Sequence, residues 1–148
     1  MYQRILVPTD GSDLAHKAVL HALALAKSVG AKLTALTVES SFDVYGVVSS
    51  KDHDMSTAFA EHARHAKEHA GRVLSRVADA AKSAGVECEI MQIEEDQPYK
   101  AIIQAAKQKH CDLIVMASHG RSGITALVLG SVTNKVLTHT DIPVLVCH

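Results

Sequence analysis

The chain has 148 residues, 47% hydrophobic and 21% charged, which suits one domain able to bury a core without metal or disulfide staples. Its formal net charge is −1, so no basic excess exists to drive it onto nucleic acid. Aromatic residues make up only 3%, with no Trp, too few for a platform that stacks single-stranded bases; a ligand must be gripped by aliphatic side chains and backbone.

Ile5-Leu6-Val7 is a continuous apolar run that ends at Pro8 and predicts a buried strand. Thr9 to Asp13 is a turn cluster rich in helix N-cap residues. From Leu14 to Val29 apolar residues recur at helical spacing (Ala15, Val19, Ala22, Leu23, Ala26), and Gly30 stops that helix. Lys32 to Val38 is strand-like. Glu39 to Ser56 has no clean period, is longer than ordinary connections, and leaves the carboxyl end of a strand, which places it near a ligand. A long helix follows, with one apolar stripe from Met55 and Phe59 through Ala70, Val73, Leu74 and Val77 to Ala81, ended by Gly85. Val86 to Ile93 alternates as a strand. Pro98 suits a helix's first turn, and the helix runs on to Lys109. Leu113 to Met116 is another apolar strand, Gly120 to Gly130 a loop, Ser131 to Thr138 a helix, and Pro143 to Val146 a last strand.

Alternation of this kind implies an α/β fold, a doubly wound parallel sheet with helices on both faces. Ligands bind such sheets beyond the carboxyl ends of the strands, at the switch point. Two loops stand there: Pro8 to Ser12 and Ala117 to Gly120. The second opens Ala117-Ser118-His119-Gly120-Arg121-Ser122-Gly123 and leads to Gly130-Ser131 at a helix start. Glycines let backbone N–H groups face an anion, the helix dipole favours phosphate, and Arg121, Ser131 and Thr133 add donors or charge. The competing reading is plain turn chemistry, with Ser131 an ordinary N-cap. The spacing matches neither the Rossmann nor the Walker fingerprint.

Val7-Pro8-Thr9-Asp10-Gly11-Ser12, Ala117 to Gly123, Gly130-Ser131-Val132 and Pro143-Val144-Leu145-Val146 together resemble the universal stress protein family, over the whole chain 1–148. The nucleotide-binding branch of that family carries G-x2-G-x9-G-[ST]. Here the second and third glycines are Gly120 and Gly130, and Ala117 replaces the first. The resemblance implies a single-domain, Rossmann-like sheet of the adenine nucleotide hydrolase type, five parallel strands in order 3-2-1-4-5. It implies a homodimer joined through the last strand (Val144, Leu145, Val146), which also hides an apolar edge. It implies ATP as ligand, with Mg²⁺ or Mn²⁺ riding on the phosphates. Asp10 then sits at the ribose and metal–phosphate region, Pro8 and Thr9 shape the base side, and Val38 holds adenine through its backbone. Met116, Ala117, His119, Gly120, Arg121, Gly130, Ser131, Val132 and Thr133 line phosphates and ribose.

Asp10 has a second reading, as a cap for the helix that starts near Ser12. His119 reads as a loop-holding residue, since no partnered Ser-His-Asp or Cys-His set can be read from spacing. His62, His65 and His69 fall within about 60° on one helix, but Arg72 and Arg76 share their face and oppose metal capture. Cys88, Cys111 and Cys147 form no CxxC and read as small buried thiols. With no signal peptide or membrane span evident, the expected setting is cytoplasmic, with no nucleic-acid or membrane partner. The expectation is an ATP-binding regulatory module of the stress response whose hydrolysis, if any, is slow. Two other readings stay open at this point: a relative that works through protein interaction without nucleotide, and a small nucleotide hydrolase.

Overall fold

In the computed structural model, three apolar runs become the middle of one sheet. The structure describes residues 1–40, 55–120 and 128–148. Strand β1 (Arg4–Pro8) carries Ile5, Leu6 and Val7 with no exposed surface, and all of β4 (Leu113–Ala117) is buried. A strand buried on both faces has no polar alternation to show, which is why these segments read as unbroken apolar runs. The others are β2 (Lys32–Glu39), β3 (Cys88–Glu94) and β5 (Val144–Cys147). All pairs are parallel, in order β3-β2-β1-β4-β5. This is the fold and strand order that the resemblance implies.

Helix α1 (Asp13–Val29) starts on Ser12, whose hydroxyl accepts the Ala15 N–H at 3.3 Å, and stops at Gly30 in the left-handed conformation, φ 72°. Helix α2 (Met55–Ala84) is 30 residues long. Its end shortens the next strand: the Val86 N–H bonds back to the Ala81 carbonyl at 2.9 Å and closes the helix. Val86 therefore serves the cap, and β3 begins at Cys88 rather than at Val86. Helices α3 (Pro98–Gln108) and α4 (Ser131–His139) complete the described elements.

The two sheet faces bury two separate cores. Ile5, Val7, Leu33, Ala35, Leu113, Val115 and Ala117 pack with α1 and α2; Leu6, Leu36, Ile114 and Met116 pack with α3 and α4. The strand period of two divides these lists. Strand β1 has β2 on one side, reached through α1, and β4 on the other, reached through α3 on the opposite face. The gap beyond the carboxyl ends of β1 and β4 is therefore the switch point. Among the described residues no helix is long and apolar enough to cross a membrane.

Cysteine burial gives a first prediction. Burial pushes the Cys111 thiol from 9.0 to about 11, against a hydrogen bond from Thr34 that favours its ionised form, and burial raises Cys88 and Cys147 too. All three stay protonated at about pH 8 and react slowly with thiol reagents until the chain is denatured. The folded chain holds the Cys111 proton more tightly than the unfolded chain does. That contribution to stability is whole below pH 9.0 and is lost as pH rises through about 11. Fast labelling of all three thiols in native protein at pH 8 is the contrary result.

Candidate functional site

Beyond the strand ends lies a cavity of about 230 Å³. Of the thirteen residues expected at a ligand, Arg121 falls outside the described residues. The other twelve all line this cavity: Pro8, Thr9 and Asp10 from the exit of β1, Val38 from β2, Met116, Ala117, His119 and Gly120 from the exit of β4, and Gly130, Ser131, Val132 and Thr133 from the start of α4. Ala15, Leu36, Pro98 and Ile102 line it as well and were not expected. Their signal was legible only as core or turn: Leu36 lies inside the apolar run of β2, and Pro98 and Ile102 share one helix face at i, i+4. Of the segment Glu39 to Ser56, expected near the ligand, Glu39 ends β2, Met55 and Ser56 open α2, and 41–54 lie outside the described residues.

The lining is aliphatic where the α3/α4 core surfaces. Leu36, Ile102 and Met116 belong to that core, and Val38 and Val132 pack on it. Polar groups supply the rest. The Thr9 N–H bonds the Leu36 carbonyl at 2.8 Å, and the Thr9 carbonyl accepts the Thr37 hydroxyl at 3.2 Å, so the exit of β1 is tied to β2. Asp10 does not cap α1, since Ser12 does. Instead Asp10 Oδ1 accepts the Ser12 N–H at 2.9 Å and braces the capping residue. A methyl at Gly120 would stand 3.1 Å from Asp10 Oδ2, so glycine there leaves the carboxylate its room.

Helix α4 is set by a close backbone approach. The Gly130 N–H donates to the Ser118 carbonyl at 2.7 Å, and a Cβ at Gly130 would lie 3.0 Å from that same oxygen. Gly130 occupies the N-cap position, so Ser131 is the first helical residue rather than the cap. The Thr133 hydroxyl donates to the Ala117 carbonyl at 2.8 Å. That hydroxyl proton is spent on the fold, and what Thr133 offers the cavity is its backbone. Ala117 packs with the α1/α2 core and lines the cavity beside Ala15 of α1. Its methyl, the departure from glycine, thus belongs to the α1/α2 core and not to the core of Leu36, Ile102 and Met116.

Ser118 is 1% exposed, and its Oγ lies 2.9 Å from His119 Nδ1. Among the described residues, His119 Nε2 is buried without a hydrogen-bond partner. His62, His65 and His69 are exposed on α2, and the described residues hold no group of three or more His, Cys, Asp or Glu fit for a metal ion. Asp10 is the one carboxylate among the described lining residues.

The model of the universal stress protein family matches residues 1–148, and the chain belongs to that family. Universal stress protein MJ0531 of Methanocaldococcus jannaschii is 31% identical over 146 residues, 99% of this chain and 82% of that one. The solved structure of MJ0577, a universal stress protein of the same organism, superposes with a TM-score of 0.83 at 26% identity, over 99% of this chain and 96% of the other. A universal stress protein solved in complex with cAMP gives 0.68 at 28% identity, over 99% and 97%.

The geometry separates Gly130 from an ordinary loop glycine. Gly130→Ala should destabilise the protein by about 1–3 kcal/mol, because its methyl meets a fixed backbone carbonyl. Urea unfolding of ligand-free protein checks this. A variant as stable as wild type would show that the α4 start has room to shift.

Proposed function

From that family membership and this cavity, we propose that the chain, as one domain over 1–148, binds an adenine nucleotide, ATP with Mg²⁺ or Mn²⁺, and serves as a nucleotide-dependent regulatory module of the stress response. The observation that carries the reading is the convergence of the twelve residues on one cavity that is aliphatic along one core and rich in donors at a helix start. The relative in complex with cAMP, an adenine nucleotide, supports the same ligand class.

In this reading Leu36, Val38, Met116 and Ile102 cover the adenine, and the Val38 backbone reads its edge. The first-turn N–H groups of α4, at Ser131, Val132 and Thr133, have no intrahelical partners and donate to phosphoryl oxygens, aided by the helix dipole and the Ser131 hydroxyl. Asp10 and a polyphosphate in one cavity repel each other unless a cation stands between them. Mg²⁺ suits that place, since it takes phosphate oxygens, waters and few carboxylates; when bound it neutralises phosphate charge. Asp10 orients through its bond to Ser12 and meets the ion through water. No described residue is placed as a base toward an attacking water, so turnover, where there is any, is slow. Two copies pair through β5, hiding Val144, Val146 and Leu145, the last 42% exposed in the single chain. The three free cysteines suit a reducing, cytoplasmic setting.

Calorimetry with ATP tests the site. Wild type should bind with Mg²⁺ and weaken about tenfold or more on chelation, in line with charge-assisted contacts of about 1.5–3 kcal/mol. Asp10→Asn keeps the bond to Ser12 but removes the charge. It should bind less tightly than wild type with Mg²⁺ and more tightly without it. Ala117→Gly, whose methyl faces the core, should leave affinity within about twofold while destabilising by about 0.5–1 kcal/mol. Absence of heat in wild type sinks the ATP reading; an unchanged metal dependence in Asp10→Asn sinks the role of Asp10. Separately, sedimentation should find wild type as a dimer and Leu145→Lys as a monomer. A monomeric wild type refutes the pairing.

A further inference from the structure

The pair Ser118–His119 holds a buried hydrogen-bond imbalance that the binding scheme above leaves unexplained. Ser118 is 1% exposed, its hydroxyl lies 2.9 Å from His119 Nδ1, and among the described residues Nε2 of the same ring is buried with no hydrogen-bond partner. The two ways of placing the protons differ in what they strand. If Nδ1 carries the ring proton and donates to Ser118, the hydroxyl proton has no acceptor and Nε2 is a second unpaired atom. If the Ser118 hydroxyl donates to Nδ1, the hydroxyl is satisfied, the ring proton sits on Nε2, and one N–H remains. Buried polar groups are paired wherever they can be. The second arrangement leaves the fewer orphans.

We propose that Ser118 is a positioning residue: its hydroxyl holds His119, whose ring belongs to the cavity lining, in the tautomer protonated on Nε2, and that N–H is a donor reserved for a phosphoryl oxygen of the ligand. Ser118 does not itself line the cavity; it acts through the ring. Its backbone is fixed by two other bonds, its N–H to the Cys147 carbonyl at 2.8 Å and its carbonyl to the Gly130 N–H at 2.7 Å, so the hydroxyl is presented from a rigid base. A donor that cannot become an acceptor selects an anionic or carbonyl oxygen and rejects a donor or apolar group at that place. The ligand half of this inference rests on the nucleotide reading; the tautomer half concerns the free protein alone.

Nitrogen-15 spectra of the imidazole rings at about pH 8, above the ordinary histidine titration, report the tautomer directly. His119→Gln identifies the His119 signals by their loss. Wild type should show Nε2–H at His119, and Ser118→Ala should show a mixture of both tautomers. A mixture lowers apparent affinity by the fraction of competent ring, so ATP with Mg²⁺ should weaken about two- to fivefold in Ser118→Ala, while adenosine, which has no phosphoryl oxygen, is unchanged. His119→Gln keeps an N–H donor near the Nε2 position and should stay within about threefold of wild type for ATP, where His119→Leu loses about tenfold or more. An Nδ1–H ring in wild type, or a tautomer untouched by Ser118→Ala, overturns the proposal even if ATP binds. Failure of ATP to bind wild type overturns the ligand half together with the nucleotide reading, and the spectrum of the free protein still decides the role of Ser118. Equal losses for adenosine and ATP in Ser118→Ala mark a merely structural residue and overturn it as well.

Discussion

The 2.7 Å hydrogen bond from the Gly130 N–H to the Ser118 carbonyl determines where α4 can begin. It joins a helix start to a strand exit with no space for a side chain between them. Two further bonds act on the same short stretch: Thr133 reaches back to the Ala117 carbonyl, and the Ser118 N–H reaches across to β5. Three bonds from three directions leave the exit of β4 little freedom. The first turn of α4 thereby lines the gap beyond β1 and β4. A helix end held elsewhere would carry the same dipole, but not at a switch point. The glycine at 130 is therefore first a packing requirement and only then an opportunity for a ligand.

The second constraint is the strand period of two. It sends Ile5, Val7, Leu33 and Val115 to one core and Leu6, Leu36, Ile114 and Met116 to the other. Where the sheet ends, Leu36 and Met116 of that second set, with Ile102 of α3, stay buried and form the floor of the cavity. An aliphatic lining for a flat ligand thus needs no dedicated residues; it is the last row of the core. The same alternation carries the side chain of Ala117 to the α1/α2 side. A glycine-to-alanine exchange at that position changes the core of one face rather than the volume on the other.

Legibility followed from how local each cause is. Buried central strands, the stop at Gly30 and the place of Pro98 were readable because the deciding residues are neighbours in sequence. The start of β3 was not, because Val86 obeys the helix behind it through a bond to Ala81, and a cap outranks an alternating pattern. The twelve lining residues rested on a family motif, not on spacing alone, and the fold accounts for their convergence. Ala15, Leu36, Pro98 and Ile102 carried no such motif and were hidden inside apolar or turn patterns. The commitment of the Thr133 hydroxyl to Ala117, sixteen residues away in the chain, has no local signature at all.

A near-neutral, aromatic-poor chain can still favour an anion if the favour is local. The described lining holds one carboxylate and no lysine or arginine. What the described lining offers an anion is therefore uncharged: peptide N–H groups at the start of α4 and the ring of His119. Peptide dipoles are effective only within about the first turn of a helix. Such a site discriminates by geometry rather than by long-range attraction, and its selectivity depends on whether each buried donor has one proton in one place. This makes the fixed surroundings of Ser118 and His119 as consequential for recognition as the helix start itself.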